Sequence, residues 1–243
     1  MEFADKWVQD CCWSNIGRIN GNIRAVVVSF HGLGATLRQG ASELDLALAE
    51  ENILVIAPYY GPWSWMNRLA RKFVDELLER VWKDLKLDDS LPLVSSGGSM
   101  GGCSALLYCR YGKRPPVACD ALYPVCDVPF HYHERSDLPT TFNYAFYGYP
   151  EALADILIEH SPLHQIEKMP RIPYLFIHGF ADDRVSKKMH SDAMTAALRN
   201  AGCQVEYMEV PGMRHGWDIP LKVHQKRFEF ICKSICKKEK VEL

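Results

Sequence analysis

Two runs, AVVVSF at 25–30 and ILVIA at 53–57, are short, rich in β-branched residues and bounded by turn residues, and the runs at 91–96, 117–123, 174–178 and 205–210 continue the series. Such runs read as strands buried on both faces of a parallel sheet. Between them lie stretches with helical spacing, at 41–51, 69–85, 100–111, 187–200 and 221–236. Within 69–85, Leu69, Phe73, Leu77, Val81 and Leu85 recur every four residues, and Ala70, Val74, Leu78 and Trp82 widen the stripe, so this helix is expected to cover a sheet face. Strand and helix alternate to the end of the chain. That rhythm confines it to an α/β architecture: a doubly wound, mostly parallel sheet with right-handed crossovers, flanked by helices.

The rhythm breaks at 126–169, an aromatic-rich insertion between two strands that is too long for a plain connection. A small helical cap is expected there. A length of 243 residues without repeats or a low-complexity linker fits one domain over 1–243. The closing KKEKVEL reads as a solvated, frayed tail.

Charge narrows the partners. Lys and Arg number 28 against 30 Asp and Glu, a formal net charge of −2. With a pI near 6.5 there is no broad positive field to attract phosphates, which argues against nucleic acid and favours a small neutral or weakly charged ligand. Glu2, Asp5, Lys6 and Asp10 interrupt the first residues, so no secretory h-region is expected. No later stretch approaches the ~18 apolar residues of a membrane span. The nine cysteines are odd in number and irregularly spaced, which reads as reduced thiols in a cytoplasmic protein. Cys232 with Cys236 and His131 with His133 look like metal-ligand pairs, but neither has a second pair at zinc-site spacing, so no metal is expected. The oligomeric state leaves no mark in the sequence.

Gly97-Gly98-Ser99-Met100-Gly101 fits the pattern G-x-S-x-G and lies between the strand at 91–96 and the helix at 100–111. A serine hydroxyl is a poor nucleophile until its proton is removed, so it must be held on a tight turn where a base can reach it. Glycines at 97, 98, 101 and 102 permit that turn, and the start of a helix favours developing negative charge. The competing reading is a glycine-rich turn with an ordinary serine. His215, in GMRHGW between the last strand and the last helix, is the candidate base, since an imidazole with a pKa near ~6.5 exchanges protons around neutral pH. Asp182 and Asp183, beyond the strand at 174–178, compete for the acid that would orient it.

These residues resemble the α/β-hydrolase superfamily. The second half of the chain is most similar to the catalytic domain of prolyl-oligopeptidase-type serine hydrolases, through Ser161-Pro162-Leu163, His178-Gly179 with Asp182 and Val185, Ala201-Gly202, Val210-Pro211-Gly212 and His215-Gly216-Trp217, with GGSMGG upstream. The resemblance spans residues 25–235 in architecture. It implies an α/β-hydrolase fold and a triad in the order Ser99, Asp182, His215; it selects Asp182, four residues after His178, leaving Asp183 as an outer charge and His178 as a structural residue. His31-Gly32-Leu33-Gly34 resembles the oxyanion-hole loop of that fold, which assigns the two donors to the backbone N–H groups of Leu33 and Met100. The 243 residues hold no propeller domain like that of the large peptidases, so oligopeptide selectivity is not implied. Dienelactone hydrolases, similar in size, carry cysteine where this chain has Ser99, so their substrate is not implied either.

The expected activity is hydrolysis of a carboxylic ester through an acyl-serine, without a cofactor. The alternatives are a small aminopeptidase or acyl-peptide hydrolase, cutting a short peptide, and a binding protein that keeps the fold without catalysis. Aromatic residues at Tyr59, Tyr60, Trp63 and Trp65, and at Phe142, Tyr144, Phe146 and Tyr147 in the insertion, are candidates for the acyl or alcohol pocket, with Tyr59, Trp63, Phe142 and Phe146 foremost.

Overall fold

The strand Ala25–Phe30 sends Val26, Val28 and Phe30 into one apolar layer and Ala25 and Val27 into a second layer on the opposite face of the sheet. Ile53–Pro58 divides the same way, Leu54 and Ile56 against Ile53 and Val55. Both faces are therefore covered, which is why these runs are apolar without alternation. The computed structural model describes residues 1–216 and 218–239. Its strands are β1 (Cys12–Ser14), β2 (Ala25–Phe30), β3 (Ile53–Pro58), β4 (Leu93–Gly98), β5 (Ala118–Leu122), β6 (Tyr174–Gly179) and β7 (Val205–Val210). They form one seven-stranded sheet in the order β1-β3-β2-β4-β5-β6-β7. β2 to β7 pair in parallel, with Val26 opposite Leu93 and Val94 opposite Ala118, while β1 runs antiparallel on β3. This is the expected α/β-hydrolase architecture.

The helices are α1 (Lys6–Cys11), α2 (Glu43–Glu50), α3 (Arg68–Leu85), α4 (Met100–Tyr111), α5 (Val128–Glu134), α6 (Leu138–Ala145), α7 (Leu153–Glu159), α8 (Ala193–Asn200) and α9 (Leu221–Glu239). Side chains of α3, α4 and α8 fill the first layer, and those of α2 and α9 fill the second. In α3 the buried face is Ala70, Val74, Leu77, Leu78, Val81 and Trp82. Leu69 is 76% exposed, because a row of every fourth residue advances about 40° per step around the helix and leaves the core-facing side. Asn67 caps α3, its side chain accepting the Ala70 N–H. Ser42 and Asp45 form a capping box at the start of α2, which fixes that helix at Glu43 rather than at 41.

Three local features depart from the sequence reading. α1 and β1, six and three residues long, precede the first expected strand. The stretch 187–200 opens with a π-helical turn at Lys188–Asp192 before α8. Of the tail, residues 237–239 continue α9, and residues 240–243 lie outside those described. The insertion 126–169 folds as α5, α6, α7 and a 3-10 segment at Pro162–Lys168. At the far edge of the sheet, Glu206 of β7 pairs with Lys226 and Lys233 at 2.6 and 3.0 Å, and Glu209 pairs with Lys187 at 2.7 Å. All nine cysteines are free thiols. Among the described residues no helix is long and apolar enough to cross a membrane.

Candidate active site

Ser99 stands between β4 and α4 with φ 59° and ψ −123°, a conformation that costs a non-glycine residue about 1–3 kcal/mol. The surroundings hold it there. Its N–H donates to Leu122 O at 3.1 Å, and its carbonyl accepts the N–H of Cys103 at 3.1 Å and of Val125 at 3.3 Å. The turn closes only because glycines flank it: a β-carbon on Gly97 would lie 2.2 Å from Gly101 O, and one on Gly101 would lie 2.2 Å from Phe30 O. The free first turn of α4 follows directly.

His215 Nε2 lies 2.9 Å from Ser99 Oγ, and His215 Nδ1 lies 2.7 Å from Asp182 Oδ2. A carboxylate oxygen accepts only, so Nδ1 carries the ring proton and Nε2 turns a lone pair to the serine hydroxyl. The side chain of Asp182 is 1% exposed. Its Oδ1 accepts the backbone N–H groups of Arg184 and Val185, each at 2.9 Å, and Oδ2 is also 3.1 Å from His178 Nε2. Burial alone would raise its pKa, but the bonds from His178, His215 and the Val185 N–H hold it well below the usual carboxylate range. His178 is itself buried between Ser191 Oγ at 2.7 Å and Val185 O at 3.1 Å. Asp183 lies at the surface, 57% exposed and 3.2 Å from Arg214.

The HGLG loop lies against the nucleophile. A β-carbon on Gly32 would meet Gly98 O at 3.9 Å and Ser99 Cβ at 4.0 Å. Tyr60 donates its hydroxyl to His31 O at 2.9 Å, and Gly34, at φ 73°, donates its N–H to Pro62 O at 2.8 Å. Leu33 is thereby fixed beside Ser99, and Met100 is the first residue of α4.

A cavity of about 910 Å³ opens at Ser99, and Leu33, Trp65, Tyr123, His131 and His215 share its wall. None of Tyr59, Trp63, Phe142 and Phe146 lines it. Phe142 and Phe146 are buried in the core, Tyr59 stacks on His31 at 5.7 Å, and Trp63 sits edge-on to Tyr144 at 5.6 Å. Trp65 takes the lining position instead, and it and Met66 both adopt left-handed backbone, at φ 46° and 52°. Its ring stacks on Phe142 at 4.1 Å, and Nε1 donates to Thr141 Oγ1 at 3.0 Å.

The sequence profile of the prolyl oligopeptidase family matches residues 77–237. The chain belongs to this family. It has the α/β-hydrolase fold. No curated protein matches it in sequence. Among solved structures it is similar to a puromycin-hydrolyzing peptidase of Mycobacterium tuberculosis, with 19% identity and a TM-score of 0.70 over 89% of this chain and 35% of that one. It is also similar to esterase B of Lactobacillus rhamnosis, with 13% identity and a TM-score of 0.72 over 92% of this chain and 80% of the esterase. A lipase in its open form gives 18% identity and a TM-score of 0.70 over 92% of this chain and 94% of the lipase. The chain thus spans about a third of the length of the puromycin-hydrolyzing peptidase, 35%.

In this member of the prolyl oligopeptidase family, the cap adds a group the sequence reading passed over. Glu134 Oε2 lies 2.5 Å from His131 Nδ1 and 3.0 Å from His190 Nε2, and Oε1 accepts the Ser186 N–H at 2.7 Å. Burial would raise the Glu134 pKa, but its two histidine bonds pull it down to about 2. The ligand atoms of His131, Glu134 and His190 lie within 4.8 Å of one another. Their protons argue for hydrogen bonding over metal binding. His190 Nδ1 already accepts the N–H groups of Cys126 and Asp127, both at 3.1 Å, so Nε2 carries the proton, and ligation there would need a doubly deprotonated ring. The only sequence sign of the group is the i, i+3 spacing of His131 and Glu134; His190 lies far along the chain. Trp217, the last residue of the HGW motif, lies outside the described residues.

Proposed function

We propose that this serine hydrolase cleaves carboxylic esters of small molecules through an acyl-serine intermediate, with Ser99 as nucleophile, His215 as general base and Asp182 as the orienting acid. The observation that carries the reading is the continuous run from Asp182 Oδ2 through His215 to Ser99 Oγ, at 2.7 and 2.9 Å. Ser99 Oγ attacks the carbonyl carbon while His215 Nε2 takes its proton. The carbonyl oxygen becomes an oxyanion held by the N–H groups of Leu33 and Met100, each such donor contributing about 3–4 kcal/mol to the transition state. The imidazolium, stabilised by Asp182, passes the proton to the departing alkoxide as the ester C–O bond breaks. Water then gives its proton to His215, attacks the acyl-serine and releases the acid, and Ser99 regains its proton.

The esterase and lipase neighbours, matched over 80% and 94% of their own lengths, favour an ester. The second reading is amide cleavage, favoured by membership of a peptidase family and by likeness to an acylaminoacyl peptidase of Pyrococcus horikoshii. The test is turnover of p-nitrophenyl esters of graded acyl length beside aminoacyl p-nitroanilides, with the native protein and Ser99→Ala. Ester turnover that vanishes in Ser99→Ala is expected. Faster cleavage of anilides would move the assignment to a peptidase. A folded protein that turns over neither and takes no fluorophosphonate label would be a binding protein.

A further inference from the structure

His131 stands in the wall of the cavity that holds Ser99, beside Trp65. It is 2% exposed, and its ring is wedged edge-on against Trp65 at 5.5 Å, His190 at 5.3 Å and Phe142 at 6.3 Å. The bond of Nδ1 to Glu134 decides what the rest of the ring offers. Glu134 is an ionised acceptor, also bonded by the Ser186 N–H and His190 Nε2–H, so the single proton of a neutral His131 must sit on Nδ1. Burial pushes the His131 pKa down to about 4, which keeps the ring neutral at physiological pH. Nε2 is then a bare lone pair. It has no hydrogen-bond partner among the described residues, and it is not among the described side-chain nitrogens sealed from solvent.

The cavity wall therefore combines the Trp65 indole with a hydrogen-bond acceptor, on His131, whose ring is held in place by Glu134. An acyl chain that is purely hydrocarbon would strip water from Nε2 and return nothing. One that carries a donor would satisfy it, and sites with a buried polar group discriminate strongly against ligands that leave it unpaired. We propose that His131 is a specificity residue whose Nε2 accepts a hydrogen bond from a hydroxyl or amide N–H on the acyl group of the substrate. Glu134 acts through it as a positioning residue, fixing the tautomer. The inference rests on Ser99 being the nucleophile of this cavity.

The test compares p-nitrophenyl N-acetylglycinate with p-nitrophenyl 4-oxopentanoate, which replaces the N–H by CH₂ and keeps every other heavy atom, and p-nitrophenyl 3-hydroxybutanoate with the plain butanoate. Each kcat/KM is divided by the alkaline hydrolysis rate of the same ester. The native enzyme is expected to prefer the donor-bearing member of at least one pair by about tenfold or more, and which pair responds tells hydroxyl from N–H. His131→Phe is expected to lose that ratio, mainly through KM of the donor-bearing ester, and His131→Gln, which restores an acceptor oxygen, to recover part of it. Glu134→Gln keeps the ring but lets Nε2 carry the proton; it is expected to lose the ratio too and serves if His131→Phe does not fold. A native ratio near one, or a ratio that survives both His131→Phe and Glu134→Gln, overturns the inference, while ester turnover that vanishes in Ser99→Ala upholds Ser99 as nucleophile. A folded native enzyme that turns over neither esters nor anilides and takes no fluorophosphonate label overturns both.

Discussion

His178 and His215 share one oxygen of Asp182, reaching Oδ2 at 3.1 and 2.7 Å. The carboxylate is thus anchored from behind by a ring that does not touch Ser99, and its aim at His215 depends on that anchor. Replacing His178 by Asn should lower kcat by about tenfold, the cost of one weakened charge-assisted bond, with KM unmoved. Steady-state kinetics on a short p-nitrophenyl ester check this, and an unchanged kcat would mean that the backbone N–H groups of Arg184 and Val185 hold Asp182 unaided.

The two neighbouring aspartates should separate sharply. Asp182→Asn changes the tautomer that His215 can hold and should reduce kcat by about 10⁴. Asp183 forms a solvated pair with Arg214, and such pairs contribute about 0–1 kcal/mol. Asp183→Asn should therefore leave kcat within about threefold of native. Equal losses in the two variants would overturn the assignment of the acid.

Gly101→Ala should cost the fold as well as the activity. The added carbon would meet the Phe30 carbonyl oxygen, and no side chain stands between them to give way. A melting temperature lower by at least about 5 °C, or loss of folded protein, is expected. Gly17→Ala, where nothing lies within 4 Å, provides the control and should melt close to native.

Stability should fall as the solution is acidified, in two stages. His131 and His160 titrate at about 4 in the folded protein against 6.5 ordinarily, chiefly because burial disfavours the cation. Between those values the unfolded chain binds protons that the folded chain refuses, so unfolding becomes easier as pH drops, by up to about 1.4 kcal/mol per pH unit for each ring. Asp182 and Glu134, held below the usual carboxylate range, add a second loss once pH passes below about 4. Denaturant unfolding at about pH 7.5 and about pH 5 measures the first stage. A stability that is constant or greater at the lower pH would contradict it.

The sheet and its covering helices were legible because burial on two faces writes apolar runs into a parallel sheet and a 3.6-residue stripe into helices such as α3. Of the three residues now found within hydrogen-bond distance, Ser99 and His215 were legible from their motifs and their places between strand and helix, while Asp182 was separated from Asp183 only by the family resemblance. The cavity wall was not. Aromatic spacing does not say which ring faces inward, and Trp65, not Trp63 or Phe142, lines the cavity. Spacing hints at Glu134 only through its i, i+3 offset from His131, since its other partners, Ser186 and His190, lie far along the chain, and α1 and β1 are too short to show a period.

β7 is the last strand of the sheet, and Glu206 and Glu209, three positions apart, project to opposite faces of it. Each is neutralised by lysine: Lys226 and Lys233 on one, Lys187 on the other. A foreign strand laying itself along β7 would have to push these ion pairs aside and desolvate charge on both of its faces at once. At the other end of the sheet β1 offers three residues, too few to template an extension. The fold thus carries its own protection against growing by strand addition.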